Sequence, residues 1–262
     1  MKLKDYLEQK KILSRNYEIF EMPYCLKCRK KKKTCLCHLV KPIKTKTYFV
    51  FLMHPMESKK ERIGTGRLSH LSLTNSKIIV GEDFDKNKEV QELLTNKKYQ
   101  CFILYPGKES LNIEISFPAL MQANIDANLE ADFKKINLVF VIDGTWACAK
   151  SMMRDSISLH TIPRISFNAT RESRFFIKKQ PSIVCLSTIE SLYYVLKALD
   201  FWEVETLNGQ QENLLTILDK MCQFQQECAD NPNMAKYRPG IFKKNSEVLP
   251  SRKWLSRKIT FE

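Results

Sequence analysis

Three groups of residues in this chain have types and spacings suited to chemistry. The first is a carboxylate, Asp143, set where the apolar run Val139-Phe140-Val141-Ile142 gives way to Gly144. Thr145 can cap a helix beginning after it, and Trp146, Ala149, Met152 and Met153 recur at helical spacing. The pattern predicts strand, tight turn and helix, with Asp143 at the carboxyl end of the strand, where open α/β sheets bind ligands. The plainer alternative is an aspartate that only starts a turn. The second group is Cys25, Cys28, Cys35 and Cys37, a C-x2-C pair, six residues, then C-x-C. Four thiolates so close together fit a structural zinc site, and soft sulfur favours zinc over magnesium or calcium. Four ligands would close the tetrahedron and leave no position for a substrate. His38 adjoins Cys37 and is an alternative ligand; unligated thiols or an iron–sulfur cluster are the other options. The third group is cationic. Arg29 and Lys30, Lys31, Lys32 and Lys33 lie between the two cysteine pairs, as a loop able to neutralise phosphates or as plain solvated charge. Arg171 and Arg174 lie three apart in SFNATRESR, a spacing that can share a helix face and bind phosphate or carboxylate through forked donors.

These residues need a scaffold, and the chain spells one. Apolar runs at Tyr48 to Met53, Lys77 to Val80, Cys101 to Leu104, Leu138 to Ile142 and Ser182 to Leu186 each end in a polar or glycine-bearing turn. Helical patterns separate several of them, one at Lys88 to Leu94. Such alternation predicts a mainly parallel sheet. Its carboxyl rim would collect His54, Tyr105, Gly107, Asp143, Ser187 and Thr188. Ser187 and Glu190 have capping-box spacing ahead of a helix over Leu192 to Leu199, whose free N–H groups can hold an anion. A short amphipathic helix is expected over residues 2–13 and a longer one over 210–227. The tail from about residue 231 is loop-rich, with basic residues around Trp254. No GxGxxG fingerprint and no GxxxxGK[ST] loop occurs, so neither a nicotinamide Rossmann site nor a P-loop is supported.

Composition narrows the partner. Lys and Arg total 43 against 29 acids, a net charge of +14, which favours a polyanion, nucleic acid before membrane. At 44% hydrophobic the chain can bury a core. It shows neither a signal peptide nor a run of about 18 apolar residues, so a cytoplasmic protein is expected. The nine cysteines then read as thiols or metal ligands rather than disulfides, with Cys101, Cys148 and Cys185 in the core and Cys222 and Cys228 on a helix. Four of only seven glycines, Gly64, Gly66, Gly107 and Gly144, fall in loops after strand candidates, where backbone can approach a ligand closely.

The rim loops together resemble a known family. HPME at 54–57, RIGTGRL at 62–68, LYPG at 104–107, DGTW at 143–146, RESR at 171–174 and LSTIE at 186–190 occur in the order typical of the DTW-domain family, the bacterial tRNA-uridine aminocarboxypropyltransferases. The resemblance covers roughly residues 20–200. Gly64 departs from it, standing where a small polar residue is expected. The resemblance implies an α/β fold, SPOUT-like, a mainly parallel sheet with a C-terminal trefoil knot, plus a small N-terminal zinc-binding module. It suggests residues 1–45 as helix and zinc module, 46–205 as catalytic domain and 206–262 as a helical, basic extension. It implies transfer of the 3-amino-3-carboxypropyl group from S-adenosylmethionine to N3 of a uridine in tRNA, releasing methylthioadenosine. Asp143 would take the N3 proton or hold the donor's ammonium group. Thr65, Gly66, Leu104, Tyr105, Pro106, Gly107, Gly144, Thr145, Trp146, Leu186, Ser187 and Thr188 would cradle the donor. Arg62, Arg67, Arg171 and Arg174, with Lys30 to Lys33, would bind RNA or the donor carboxylate. Trp146 or Tyr105 could stack on the everted base. tRNA is the expected partner, with no membrane and no obligate protein. The competing expectations are a SPOUT-type RNA methyltransferase, a ribosomal RNA acceptor, and a zinc-dependent RNA-binding module without catalysis.

Overall fold

The computed structural model describes residues 24–59, 64–116, 135–169, 171–177 and 185–230. The chain divides into two compact units, Met1–Cys35 and Leu36–Glu262. In the first, Tyr24 and Lys31 form an antiparallel bridge, closed by Cys25 N–H donating to the Lys30 carbonyl at 2.7 Å. Arg29 adopts a left-handed φ of 58° at this turn, the backbone shape that lets the chain double back after C-x2-C.

Among the described residues, the second unit is built on six strands. They are β1 (Tyr48–Met53), β2 (Ser76–Val80), β3 (Tyr99–Leu104), β4 (Leu111–Asn112), β5 (Ile136–Asp143) and β6 (Arg164–Ser166). Their order in the sheet is β2-β1-β5-β3-β6-β4, and every pairing is parallel. A parallel sheet is covered on both faces, so its strands are apolar almost throughout. Accordingly, Phe49 to Met53 of β1 and Asn137 to Val141 of β5 are all buried. Helices accompany the sheet, among them α1 (Pro55–Lys59), α2 (Gly66–Leu71), α3 (Lys88–Thr95), α4 (Trp146–Asp155), α5 (Thr188–Phe201) and α6 (Glu212–Asp230). Val90 of α3 and Met152 and Met153 of α4 pack with Val50, Leu52, Ile103 and Phe140 on one face. Against the other face, α5 contacts β5 and α2, and α6 contacts α5. The buried Glu205 carboxylate closes this layer by accepting the backbone N–H groups of Lys46 and Thr47 at 2.9 and 2.7 Å, just before β1.

Four expected strands form, and β1 has the expected limits. β4 and β6 were not expected, because two or three residues cannot show an alternation pattern. The expected strand over 182–186 falls mostly outside the described residues, and Cys185 and Leu186 are not in a strand. Arg171 and Arg174 do not share a helix face, since residues 171–177 form no helix. The expected helix over 2–13 and the tail from 231 lie outside the described residues. α6 buries Leu214, Leu215, Leu218 and Cys222 as expected, together with Ile217 and Met221, while Phe224 is only half-buried. No helix among the described residues is long and apolar enough to cross a membrane.

Candidate active site and cysteine cluster

β1 is followed by chain that returns to β2, on one side of it, whereas β5 is followed by chain that passes to β6, on the other. Neighbouring parallel strands whose connections leave in opposite directions open a crevice at their carboxyl ends. Asp143, the last residue of β5, pairs with Met53, the last of β1, and so stands at that crevice. It is 4% exposed. Its Oδ1 accepts the hydroxyl proton of Thr188, the first residue of α5, at 2.7 Å. Gly66, the first residue of α2, lies so close that a Cβ there would overlap the carboxylate. Two helix beginnings and two strand ends thus meet at one carboxylate. The backbone is tied here too: His54 N–H donates to the Asp143 carbonyl at 2.9 Å. Gly144 leaves the room this turn needs, since a Cβ on it would lie 3.2 Å from Cβ of Cys148 and 3.4 Å from that of His54. Thr145 caps α4 by accepting the N–H of Cys148 at 3.3 Å.

The start of α5 is held by Glu190, a carboxylate only 3% exposed. It accepts Ser187 N–H at 2.8 Å and Ser187 O–H at 2.6 Å, completing the capping box. It also accepts Ser173 O–H at 2.8 Å and Arg174 N–H at 2.7 Å. Four donors replace the water that a buried carboxylate loses. One side chain therefore pins the RESR segment to the helix start that presents Thr188 to Asp143.

The LYPG turn follows β3 on the same rim. Ser110 O–H donates to the Gly107 carbonyl at 2.6 Å, and Gly107 N–H lies 3.2 Å from the same hydroxyl, closing the turn. Burial raises the Tyr105 phenol above its usual pKa, with the charge of Arg164 working against it. His54, mostly buried, accepts Met56 N–H on Nδ1 at 3.2 Å and places Nε2 3.4 Å from Glu82.

Of the residues singled out in the sequence, Asp143, Gly66 and Thr188 are in contact, and Gly144, Thr145 and Ser187 build the turns beside them. Thr65 is buried as the N-cap of α2, and Trp146 and Leu186 are half-buried at the starts of α4 and α5. Leu104, Tyr105, Pro106 and Gly107 lie at the end of β3, two strands from β1. The arginines do not converge. Arg67 donates to Ser58 Oγ at 3.0 Å, Arg174 pairs with Asp219 of α6 at 2.8 Å, and Arg171 is exposed. Arg62 lies outside the described residues. Lys31, Lys32 and Lys33 are exposed, but Lys30 is buried, 8% exposed. Glu190 was visible in the sequence as a cap and not as a clamp.

The sulfur atoms of Cys25, Cys28, Cys35 and Cys37 all lie within 4.8 Å of one another. Cys28 and Cys35 Sγ are 3.7 Å apart. Four sulfurs on a tetrahedron about 2.3 Å from a central zinc would be roughly 3.8 Å apart, so the donor set and spacing fit. The Cys28 N–H helps draw the Cys25 thiol down to about 6, toward the thiolate a metal needs. Elsewhere burial does the reverse, pushing Cys101 up to about 11 and Cys222 up to about 12, as expected of core thiols.

The family model of the DTW domain matches residues 22–226, from before the cysteine cluster to within α6 and so beyond the span expected. A Macaca fascicularis protein named tRNA-uridine aminocarboxypropyltransferase 2 is 26% identical over 243 residues, 90% of this chain and 75% of its own length. Proteins of the same name from Mus musculus and Drosophila melanogaster are each 27% identical, over 90% and 89% of this chain and 75% and 86% of theirs. No solved structure matches.

Proposed function

This chain belongs to the DTW-domain family, and on that premise we propose that it is a tRNA-uridine aminocarboxypropyltransferase. It moves the 3-amino-3-carboxypropyl group from S-adenosylmethionine to N3 of a uridine in tRNA and leaves methylthioadenosine. The observation that carries this reading is the buried Asp143 carboxylate, placed at the sheet's switch point inside the matched segment.

The chemistry asks three things of the protein. Uridine N3 is a weak acid and must lose its proton to become nucleophilic. Asp143 takes that proton, or else orients the donor by pairing with its ammonium group. Thr188 fixes the carboxylate by holding Oδ1. The donor supplies a carbon activated by a sulfonium leaving group; N3 bonds to that carbon as the carbon–sulfur bond breaks and its electron pair passes to sulfur. The protein must also exclude water. The rim turns at Leu104 to Gly107, Gly144 to Trp146 and Leu186 to Thr188, with Thr65 and Gly66, enclose the donor in this reading, and Trp146 or Tyr105 stacks on the everted uracil. Cys25, Cys28, Cys35 and Cys37 hold a structural zinc, and the exposed Lys31, Lys32 and Lys33 beside them meet the tRNA backbone, as do Arg62 and Arg171. A SPOUT-like fold with a C-terminal knot, the division at 45 and 205, a cytoplasmic location and action without an obligate protein partner belong to the same proposal.

Mass spectrometry of the products tests it. Protein incubated with S-adenosylmethionine and tRNA from cells lacking this gene should yield methylthioadenosine and an equal amount of aminocarboxypropyl-uridine. S-adenosylhomocysteine with a methyl gain on RNA would mean a methyltransferase instead. RNA binding with no product from tRNA or ribosomal RNA would leave a binding module.

A further inference from the structure

The LYPG turn carries a cation that no sequence motif points to. Arg164 opens β6 opposite Ile103 of β3, so its side chain shares the sheet face of Ile103 and Tyr105. Its guanidinium reaches the turn: a Cβ on Gly107 would lie 3.6 Å from Arg164 Nη1. The other terminal nitrogen, Nη2, lies 3.2 Å from Nδ1 of His160. Arginine only donates, so Nδ1 accepts, and a neutral imidazole then carries its proton on Nε2. Nε2 is 2.7 Å from the carbonyl of Met153, in the last turn of α4, where helical carbonyls lack internal partners. Met153, His160 and Arg164 thus form one directed chain that fixes the tautomer and aims the guanidinium at the turn.

The charge is not neutralised. Arg154 is paired with Asp155 and Arg174 with Asp219, but no carboxylate among the described residues lies within ion-pair distance of Arg164. Arg164 is nevertheless half-buried, and beside Gly107 the exposed Lys108 and Glu109 offset each other, so the charge at the turn is that of Arg164. A held and unpaired guanidinium at a ligand rim is a receptor for an oxyanion.

We propose that Arg164 binds an oxyanion at the LYPG turn, with His160 as its positioning residue. If the function proposed above holds, that oxyanion is the carboxylate of the donor or a phosphodiester of the tRNA. The test measures S-adenosylmethionine affinity by calorimetry and tRNA affinity by filter binding across a salt series, for wild type, Arg164→Gln, Arg164→Lys and His160→Phe. Arg164→Gln should weaken one ligand about tenfold or more, the scale of a charge-assisted contact. Loss confined to S-adenosylmethionine identifies the carboxylate. Loss confined to tRNA, with the salt slope reduced by about one, identifies the phosphate. Arg164→Lys should restore only part of the loss, since it keeps the charge and not the fork, and His160→Phe should weaken the same ligand less. Both affinities within twofold of wild type in Arg164→Gln would overturn the proposal. So would equal weakening of both together with a lowered melting temperature, which marks a structural role. Wild type that binds neither ligand would refute the function itself, and this inference with it.

Discussion

Replacing Gly66 with alanine should damage the site from a position that does no chemistry. The new methyl would overlap the buried carboxylate of Asp143, which Thr188 holds at 2.7 Å. Two effects compete. Alanine is the better residue in a helix by about 1 kcal/mol, and Gly66 is the first residue of α2. Against this, overpacking a buried site costs about 1–3 kcal/mol. If the carboxylate swings away instead, it loses a hydrogen bond to a charged acceptor, about 1.5–3 kcal/mol. The steric side wins, leaving a net loss of up to about 2 kcal/mol, and activity should fall far more because the carboxylate is displaced. Asp143→Ala removes the obstacle. In that background Gly66→Ala should be neutral or stabilising, giving a coupling of roughly 1–3 kcal/mol between the two positions. Urea unfolding of wild type, the two single variants and the double variant measures it, alongside turnover of the single variants. Effects additive within about 0.5 kcal/mol, or wild-type turnover in Gly66→Ala, would refute the close approach of α2 to the carboxylate.

Other contacts lead to further outcomes. Cys28→Ser should lower both bound zinc, measured by elemental analysis, and the melting temperature, because a structural metal contributes folding free energy; unchanged values of both would remove the metal assignment. Ser173→Ala leaves the capping box intact but cuts one donor to Glu190, and should cost about 1–3 kcal/mol in urea unfolding and lower kcat. Stability loss without any change in kcat would show that the clamp does not reach Thr188. With folded thiols raised to about 11 at Cys101 and about 12 at Cys222, the unfolded chain loses these protons first, so stability should decline as pH rises above 9. Iodoacetamide footprinting at pH 8 should leave both unmodified in the native protein.

Much of this arrangement is legible in the sequence because it is local. β1 reads from Tyr48 to Met53 because its residues are nearly all apolar, as a strand buried on both faces requires. The turn after Asp143, the Thr145 cap and the Ser187–Glu190 box are encoded within four residues each. The four cysteines announce their cluster by type and spacing alone. The hidden contacts depend on partners far apart in the chain. Nothing near Gly66 says that its neighbour is Asp143, and Glu190 meets Ser173 across 17 residues of sequence. Arg164 carries no sequence signal because β6 is three residues long and its partner His160 lies in a 3-10 helix of five residues, Ile157–Thr161, too short to show a period. The arginines of RESR were expected on one helix face, a spacing rule that applies only where there is a helix.

The sheet order also fixes when this protein can fold during synthesis. Among the described strands, only the β1–β2 pair lies wholly before residue 136 and can form before β5 leaves the ribosome. β3 pairs with β5 and β6, and β4 with β6, so each must wait for a strand not yet made. Until Ile136–Asp143 emerges, the apolar edges of β1 and β3 have nothing between them, a state prone to aggregation. β5 then enters between two strands already present, as a keystone does. Its last residue is Asp143, so a nascent chain cannot close its sheet before it has made the carboxylate that defines the site.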